Sequence, residues 1–283
     1  MAEEIAATIE RYVLNGTDAD LKRLLKISEL IAEFARTAIR RAGVRPGWSA
    51  IECGCGPLGA LPVLAQAVGA SGRVVGVDVN GAAIDRARSI METLGVTNVA
   101  VVVGDLHTTA PAALGAPFDL AFSRQFLLHQ PDPTRTLRCI AGLLRPGGVL
   151  VAQEPFRNPS WRSQPHISHL SAHWELLYES IERAGTPHQA VEDLPRFARA
   201  AGFEVMAMSG FVSVLPPEVG LQIAMANLAA VRERAQALGV ATEQQLDEVM
   251  GGLSAAMRAK DSYDWIASPI IFDLAFQTSG SAR

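Results

Sequence analysis

Apolar positions along this chain alternate between two spacings. Helical spacing comes first. Ile5, Ile9 and Val13 share one side over residues 1–15, and Asn15-Gly16 breaks the run. A second stripe then starts at Thr17 or Asp18, either of which can cap a helix, and runs to about Ala42. Leu21, Leu24, Leu25, Ile27, Leu30, Ile31, Phe34 and Ile39 make that stripe wide enough to bury on two sides. It can cover the main sheet, a substrate or a partner subunit. Gly43 ends it, and Pro46-Gly47 turns into the first of several short apolar runs.

Those runs read as strands at Ser49–Cys53, residues 73–79, Val99–Val103, residues 118–123 and residues 149–153. Helical spacing fills residues 58–68, 81–94 and 132–144 between them. Fully apolar strands alternating with helices predict a parallel sheet covered on both faces. After Glu154 the pattern is irregular. Helices are predicted at residues 167–184, 191–201, 218–238 and 243–260, and strands at 203–214 and 265–276. These helices exceed what a bare crossover needs. Ligands of an open α/β sheet lie off the carboxyl ends of its strands, so the extra helices are placed to roof that site. The organisation expected is a helical extension at 1–44, a ligand-binding core at 45–154, and cap insertions completing the sheet at 155–283.

Composition narrows the function. With 49% hydrophobic and 19% charged residues, the chain can bury a sizeable core. Its net charge of −4 and lack of a basic block argue against a nucleic-acid partner. Cys53, Cys55 and Cys139 make no disulfide framework, and Cys53-x-Cys55 lacks further ligands at zinc spacing, so no metal is expected. No apolar run reaches the ~18 residues of a membrane span. Glu3 and Glu4 replace the basic start of a signal peptide, which leads to an expectation of a soluble, cytoplasmic protein.

Candidate chemistry gathers where predicted strands end. Gly54-Cys55-Gly56 and Gly59 join the first strand to a helix, a unit that brings backbone N–H groups and a helix N-terminus close to a ligand. Asp78 ends the second strand, where an acid can accept from both hydroxyls of a ribose. Asp105 follows Gly104 after the third, where an acid can accept from an exocyclic amine such as adenine N6, with the Leu106 N–H facing a ring nitrogen. Together they outline a nucleoside cradle.

In order, Glu52-Cys-Gly-Cys-Gly-Pro-Leu-Gly59, Val77-Asp78, Gly104-Asp105, Phe118-Asp-Leu-Ala-Phe-Ser123 and Leu144-Arg-Pro-Gly-Gly-Val-Leu-Val151 resemble the motifs of class I S-adenosylmethionine-dependent methyltransferases. The resemblance covers roughly residues 45–155. It departs in the glycine loop, where Leu58 stands at the usual third glycine and Gly59 follows. It implies a Rossmann-like, doubly wound, mostly parallel seven-stranded sheet, with S-adenosylmethionine as cofactor and S-adenosylhomocysteine as product. It also implies that Gly54, Cys55 and Gly56 lie against the methionine moiety and that Glu52 helps fix its ammonium group, directly or through water. Asp78 would bind ribose, Val79 would lie against adenine, Asp105 and Leu106 would hold adenine, and Ser123 and Arg124 would line the methionine end.

The acceptor side is expected to use His129 or Glu154 as a base. Tyr12, His169, His173, Trp174 and Tyr178 are expected to form an aromatic and imidazole lid over a flat substrate. His166, His169 and His173 share a helical spacing, but no carboxylate completes a metal site there. The expected function is methyl transfer to a small aromatic or hydrophobic acceptor on O, N or C, as in natural product biosynthesis, by a homodimer or larger homo-oligomer. Alternatives are a nicotinamide-dependent oxidoreductase on a related sheet and a non-catalytic cofactor-binding protein. Against the first, no Tyr-x-x-x-Lys pair is present.

Overall fold

The computed structural model describes residues 18–279 apart from 159 and 188, with side chains from Arg23 onward. Tyr12 and the expected helix at 1–15 lie outside the described residues. Two helices, α1 (Asp18–Leu30) and α2 (Ala32–Arg41), replace the single predicted one, because the backbone breaks at Ile31 with φ −108° and ψ 11°. The alternating core follows: β1 (Ser49–Cys53), α3 (Leu61–Val68), β2 (Arg73–Asp78), α4 (Gly81–Thr93), β3 (Val99–Val103), β4 (Phe118–Arg124), α5 (Pro133–Leu143) and β5 (Leu144–Pro155). Polar caps set where its helices begin. Asn80 Oδ1 accepts from the Ala83 N–H at 3.2 Å, and Asp132 Oδ1 from the Arg135 N–H at 2.9 Å. The remainder comprises β6 (Arg162–Gln164), α6 (Ser168–Arg183), α7 (Leu194–Ala200), β7 (Phe203–Phe211), β8 (Val214–Leu215), α8 (Pro217–Ala237), α9 (Glu243–Arg258), β9 (Trp265–Ala267) and β10 (Ile271–Thr278).

Seven strands form one sheet in the order β3-β2-β1-β4-β5-β10-β7. The first five are parallel, and β10 runs antiparallel to both β5 and β7. The order reverses between β1 and β4, and that switch point is where a doubly wound sheet opens a ligand crevice. Alternate side chains of the central strands enter two cores. Ile51, Leu150 and Leu274 pack with α5 and α7, while Ala50, Leu120 and Val149 pack with α2, α3 and α4. The valine run of β3 is half exposed, not covered on both faces as expected, because it is the sheet's edge strand.

The break at Ile31 divides the N-terminal stripe between two cores. Ala35, Ala38 and Ile39 pack beneath the sheet. Ile27 and Leu30 join a separate cluster built from α6, α8 and α9. Phe34 stacks on Phe211, with centroids 3.7 Å apart and planes within 4°. The chain itself covers the stripe, so the stripe's width no longer argues for a dimer. A second sheet, β6-β9-β8, was not foreseen, since its strands of three, three and two residues are too short to show a period. Among the described residues no helix is long and apolar enough to cross a membrane.

Candidate active site

The strand register puts the predicted cradle on one rim. Cys53 pairs with Val77 and with Ser123, and Asp78 pairs with Val103, so β1, β2, β3 and β4 all end at the same edge. Gly54, Gly56 and Gly59 take φ of +70°, +55° and +53°. A side chain is costly at such angles, which is why glycine stands at these positions. The Gly54 and Cys55 N–H groups donate to the Val77 carbonyl at 2.9 and 3.1 Å, tying the loop to β2.

Asp78 completes that tie. Its Oδ2 accepts from the Gly56 N–H and its Oδ1 from the Asn80 N–H, each at 2.9 Å. One bond to each oxygen leaves further lone pairs at the strand tip. Burial raises the Asp78 pKa, and the backbone N–H bonds oppose that shift. Next along the rim, the Gly104 N–H donates to the Asp78 carbonyl at 2.9 Å. Asp105 is 5% exposed, and its Oδ1 accepts from the His107 N–H at 2.8 Å.

Glu52 lies buried beneath the glycine loop. It is only 1% exposed, and both carboxylate oxygens accept from the Ala60 N–H, at 2.8 and 2.9 Å. A Cβ at Gly59 would lie 2.6 Å from its Cδ. Glu52 is therefore a post beneath the loop, held there through the Ala60 N–H. Burial pushes its pKa up to about 8 against the pull of Arg124 and the Ala60 N–H. Arg124 donates through Nη2 to the Gly59 carbonyl at 2.6 Å and to Ser28 Oγ at 3.1 Å. Its Nη1 and the Ser123 Oγ are buried with no hydrogen-bond partner among the described residues.

An adenosyl amino acid fits these groups. The carboxylates Asp78 and Asp105, at neighbouring strand tips on this rim, suit hydroxyls and an amine. The buried donors without partners at Ser123 and Arg124 suit a carboxylate, since an unpaired buried donor is otherwise costly. Two apolar side chains lie close to the loop. The Phe126 ring fills the space a Cβ at Gly54 would need, 2.9 Å from its Cγ, and Leu24 of α1 comes within 3.9 Å of the same point at Gly56.

Beyond the tip of β4 lies an apolar hollow of about 720 Å³, counted with its open mouth. Leu128 and His129 form one wall, Trp161, Trp174 and Leu177 another, and Ile27, Ile223 and Leu215 much of the rest. Burial lowers the His129 pKa to about 3, and the Arg23 charge adds to the shift, so its imidazole is neutral at pH 7.

The other acceptor-side expectations are corrected. Glu154 is fully buried and turned away from the hollow. Its oxygens accept from the Phe126, Leu127 and Leu128 N–H groups at 3.0, 2.9 and 3.3 Å, capping the turn that carries His129. Burial raises its pKa to about 7, against those three bonds. Among the described members of the predicted lid, only Trp174 reaches the hollow. His169 packs on Gly252 of α9, and His173 is wholly buried between Trp161 and Trp174. Tyr178 donates its hydroxyl to the Pro155 carbonyl. His169 and His173 lie on one helix, but that helix packs on α8 and α9. His166 precedes the helix and is exposed. No cluster of metal-ligating side chains occurs among the described residues.

Sequence reasoning missed Arg23, Asn227 and Trp161 in the wall of the hollow. A signal was available for the first two. Arg23 interrupts the apolar stripe of α1, and Asn227 interrupts the apolar run of α8.

The strand order, the shared rim and the glycine loop define a class I methyltransferase fold. The family model for a methyltransferase domain matches residues 45–202, more than half of the chain, and the chain belongs to that family. A trans-aconitate 2-methyltransferase of Azoarcus sp. strain BH72 is 31% identical over 145 residues, 50% of this chain and 54% of that protein. A nocamycin O-methyltransferase of Saccharothrix syringae is 31% identical over 185 residues, 64% of this chain and 63% of that protein. The alignments span about half the length of the first curated relatives, 47% and 54%. Among solved structures, a SAM-dependent methyltransferase from Aquifex aeolicus superposes with a TM-score of 0.51 at 19% identity, covering 68% of this chain and 92% of that one. That likeness shows the fold alone.

Proposed function

We propose that this protein transfers a methyl group from S-adenosylmethionine to a small, largely apolar and planar acceptor. The observation that carries the reading is the continuity of the two sites. The segment running on from Ser123 and Arg124, at the cofactor rim, supplies Gln125, Leu128 and His129 to the wall of the apolar hollow.

When bound, the cofactor supplies a sulfonium methyl, which the acceptor's attacking atom takes in an in-line displacement. The chain's work is positioning, and proximity with water exclusion provides most of the rate in such a reaction. Asp78 and Asp105 would hold the nucleoside, with Val79 and Leu106 beside the base. Gly54, Cys55 and Gly56 would admit the amino-acid tail, and Ser123 and Arg124 would take its carboxylate. Glu52 fixes the loop from below through Ala60. Trp174 and Trp161 would flank the acceptor. His129 borders the hollow as a neutral imidazole, and with its pKa lowered to about 3 it is a weak base, suited to hydrogen-bond the acceptor and not to carry its proton away. Glu154 acts through it as a positioning residue by holding the turn.

The relatives' names give different acceptors, nocamycin and trans-aconitate, so the acceptor class is read from the hollow. Calorimetry with S-adenosylhomocysteine, alongside a fluorescence titration with NADH, tests the reading. It expects micromolar binding of the first and none of the second. Binding of NADH without S-adenosylhomocysteine would overturn it in favour of a nicotinamide enzyme.

A further inference from the structure

One residue between the cofactor rim and the hollow holds a strained backbone angle. Gln125 follows β4 at φ +51°, and every other described residue at positive φ is a glycine. A side chain is strained at such an angle, and the strain persists only where the surroundings fix the backbone. Here they do. The Gln125 N–H donates to the Gln153 carbonyl at 2.9 Å, and the next three N–H groups, of Phe126, Leu127 and Leu128, all donate to Glu154. Glycine would take the same angle at no cost. What glutamine adds at this position is its side chain.

The angle decides where that side chain goes. Alternation along β4 puts Ala121 on the face packed by α5 and α7, and a continued strand would carry residue 125 to the same face. The turn sends it into the hollow instead. On one side of it Arg124 bonds to the Gly59 carbonyl, and on the other Phe126 lies against Gly54. Gln125 therefore stands where the wall of the hollow meets the glycine loop. Its carboxamide makes no hydrogen bond within the described residues. Elsewhere in the wall, Asn227 is tied to Arg23 at 3.1 Å and Ser268 to the Pro269 carbonyl at 2.9 Å. An acceptor that fills the hollow displaces water from the Gln125 amide. It then supplies a partner in return or leaves the amide unpaired in a mostly apolar wall, at a cost.

Resting on the methyl-transfer reading of this site, we propose that Gln125 determines specificity by donating from Nε2 to a neutral oxygen of the acceptor, a carbonyl or ether, at the end nearest the rim of β4. The strained turn is what aims the amide there. Analogues of the same shape that lack the oxygen fit the hollow but leave the donor unpaired.

The test uses the full chain with two flat probes of one shape, 2-acetylnaphthalene and 2-isopropenylnaphthalene, in which a methylene replaces the carbonyl oxygen. Equilibrium dialysis gives both affinities, and calorimetry gives that of S-adenosylhomocysteine in parallel. The readout is the ratio of the two probe affinities in the wild-type protein and in two variants, which cancels the probes' different hydrophobicity. One neutral hydrogen bond predicts that Gln125→Met lowers the ratio in favour of the ketone about three- to tenfold. Gln125→Gly lowers it equally and, with the strain gone, melts no lower than the wild-type protein, so it serves even if the methionine variant does not fold. A side chain with a structural role alone would shift melting and leave the ratio in place. A change of less than threefold in a folded variant overturns the proposal. So does failure of both probes with a protein that binds S-adenosylhomocysteine. If the ratio falls as expected but S-adenosylhomocysteine does not bind, the methyl-transfer reading fails while the Gln125 contact stands.

Discussion

Replacing Asp78 by alanine separates a ligand-binding carboxylate from a merely structural one. In the wild-type protein each oxygen of Asp78 already holds one backbone N–H at 2.9 Å. Losing those bonds loosens the Gly56 turn and costs about 1 kcal/mol for each partly buried N–H left without a partner. The cofactor would lose more. Two hydroxyl-to-carboxylate bonds contribute about 1.5–3 kcal/mol each, so their removal costs roughly 3–6 kcal/mol of binding. Relaxation of the loop and replacement by water recover part of this. The expected rise in the S-adenosylhomocysteine Kd is therefore at least about a hundredfold, equivalent to about 2.7 kcal/mol. Asp119→Ala is the matched control. That carboxylate accepts from the Ser49 N–H at 2.8 Å, the Ser49 hydroxyl at 2.9 Å and Arg145 Nε at 2.6 Å, at the opposite end of the strands. It should lower the urea midpoint at least as much while leaving the Kd unchanged. Calorimetry on both folded variants decides. An Asp78→Ala Kd within threefold of wild type would refute the reasoning.

Two further outcomes follow from the same contacts. Gly59→Ala forces φ near +53° on alanine and drives its Cβ onto the Glu52 carboxyl, so it should destabilise by about 2–4 kcal/mol in urea unfolding, whereas Gly43→Ala, with nothing within 4 Å, should cost only about 1 kcal/mol. Equal losses at the two sites would contradict the Glu52 packing. In the pH profile, Glu52 and Glu154 have folded pKa values raised from 4.5 to about 8 and about 7, so their contribution is full below 4.5 and is lost as pH rises through those values. His129 and His173 have depressed values, about 3 and about 4, so they act in the opposite direction only below their unfolded value of 6.5. Between pH 6.5 and 8 the Glu52 effect remains, and Glu52→Gln should flatten the fall in unfolding free energy there. An unchanged slope would count against it.

The core of the fold was legible because short buried strands and their stops are local facts. Ser49–Cys53 and Val99–Val103 fall where their apolar runs place them, Asp78 ends β2 as expected, and Asp105 follows the end of β3 by two residues. The rim was legible for the same reason, since parallel strands bring successive tips together. Side-chain direction was not. Glu154 sits at a strand end like Asp78, yet it points into a turn whose three N–H groups need an acceptor. His169 and His173 carry the right chemistry on a face that packs on α8 and α9, because a helix between two layers has two apolar sides and spacing does not say which one meets the ligand. The hollow itself draws on α1, α6, α8 and the small sheet, which meet only through long-range packing.

The measurement that bears most directly on the whole account is a crystal structure with S-adenosylhomocysteine. The account predicts ribose on Asp78, adenine beside Asp105 and Leu106, the amino-acid tail along Gly54–Gly56 toward Arg124, and the sulfur facing the hollow bordered by His129 and Trp174. A nucleoside seated on another edge of the sheet, or a sulfur turned away from that hollow, would contradict it.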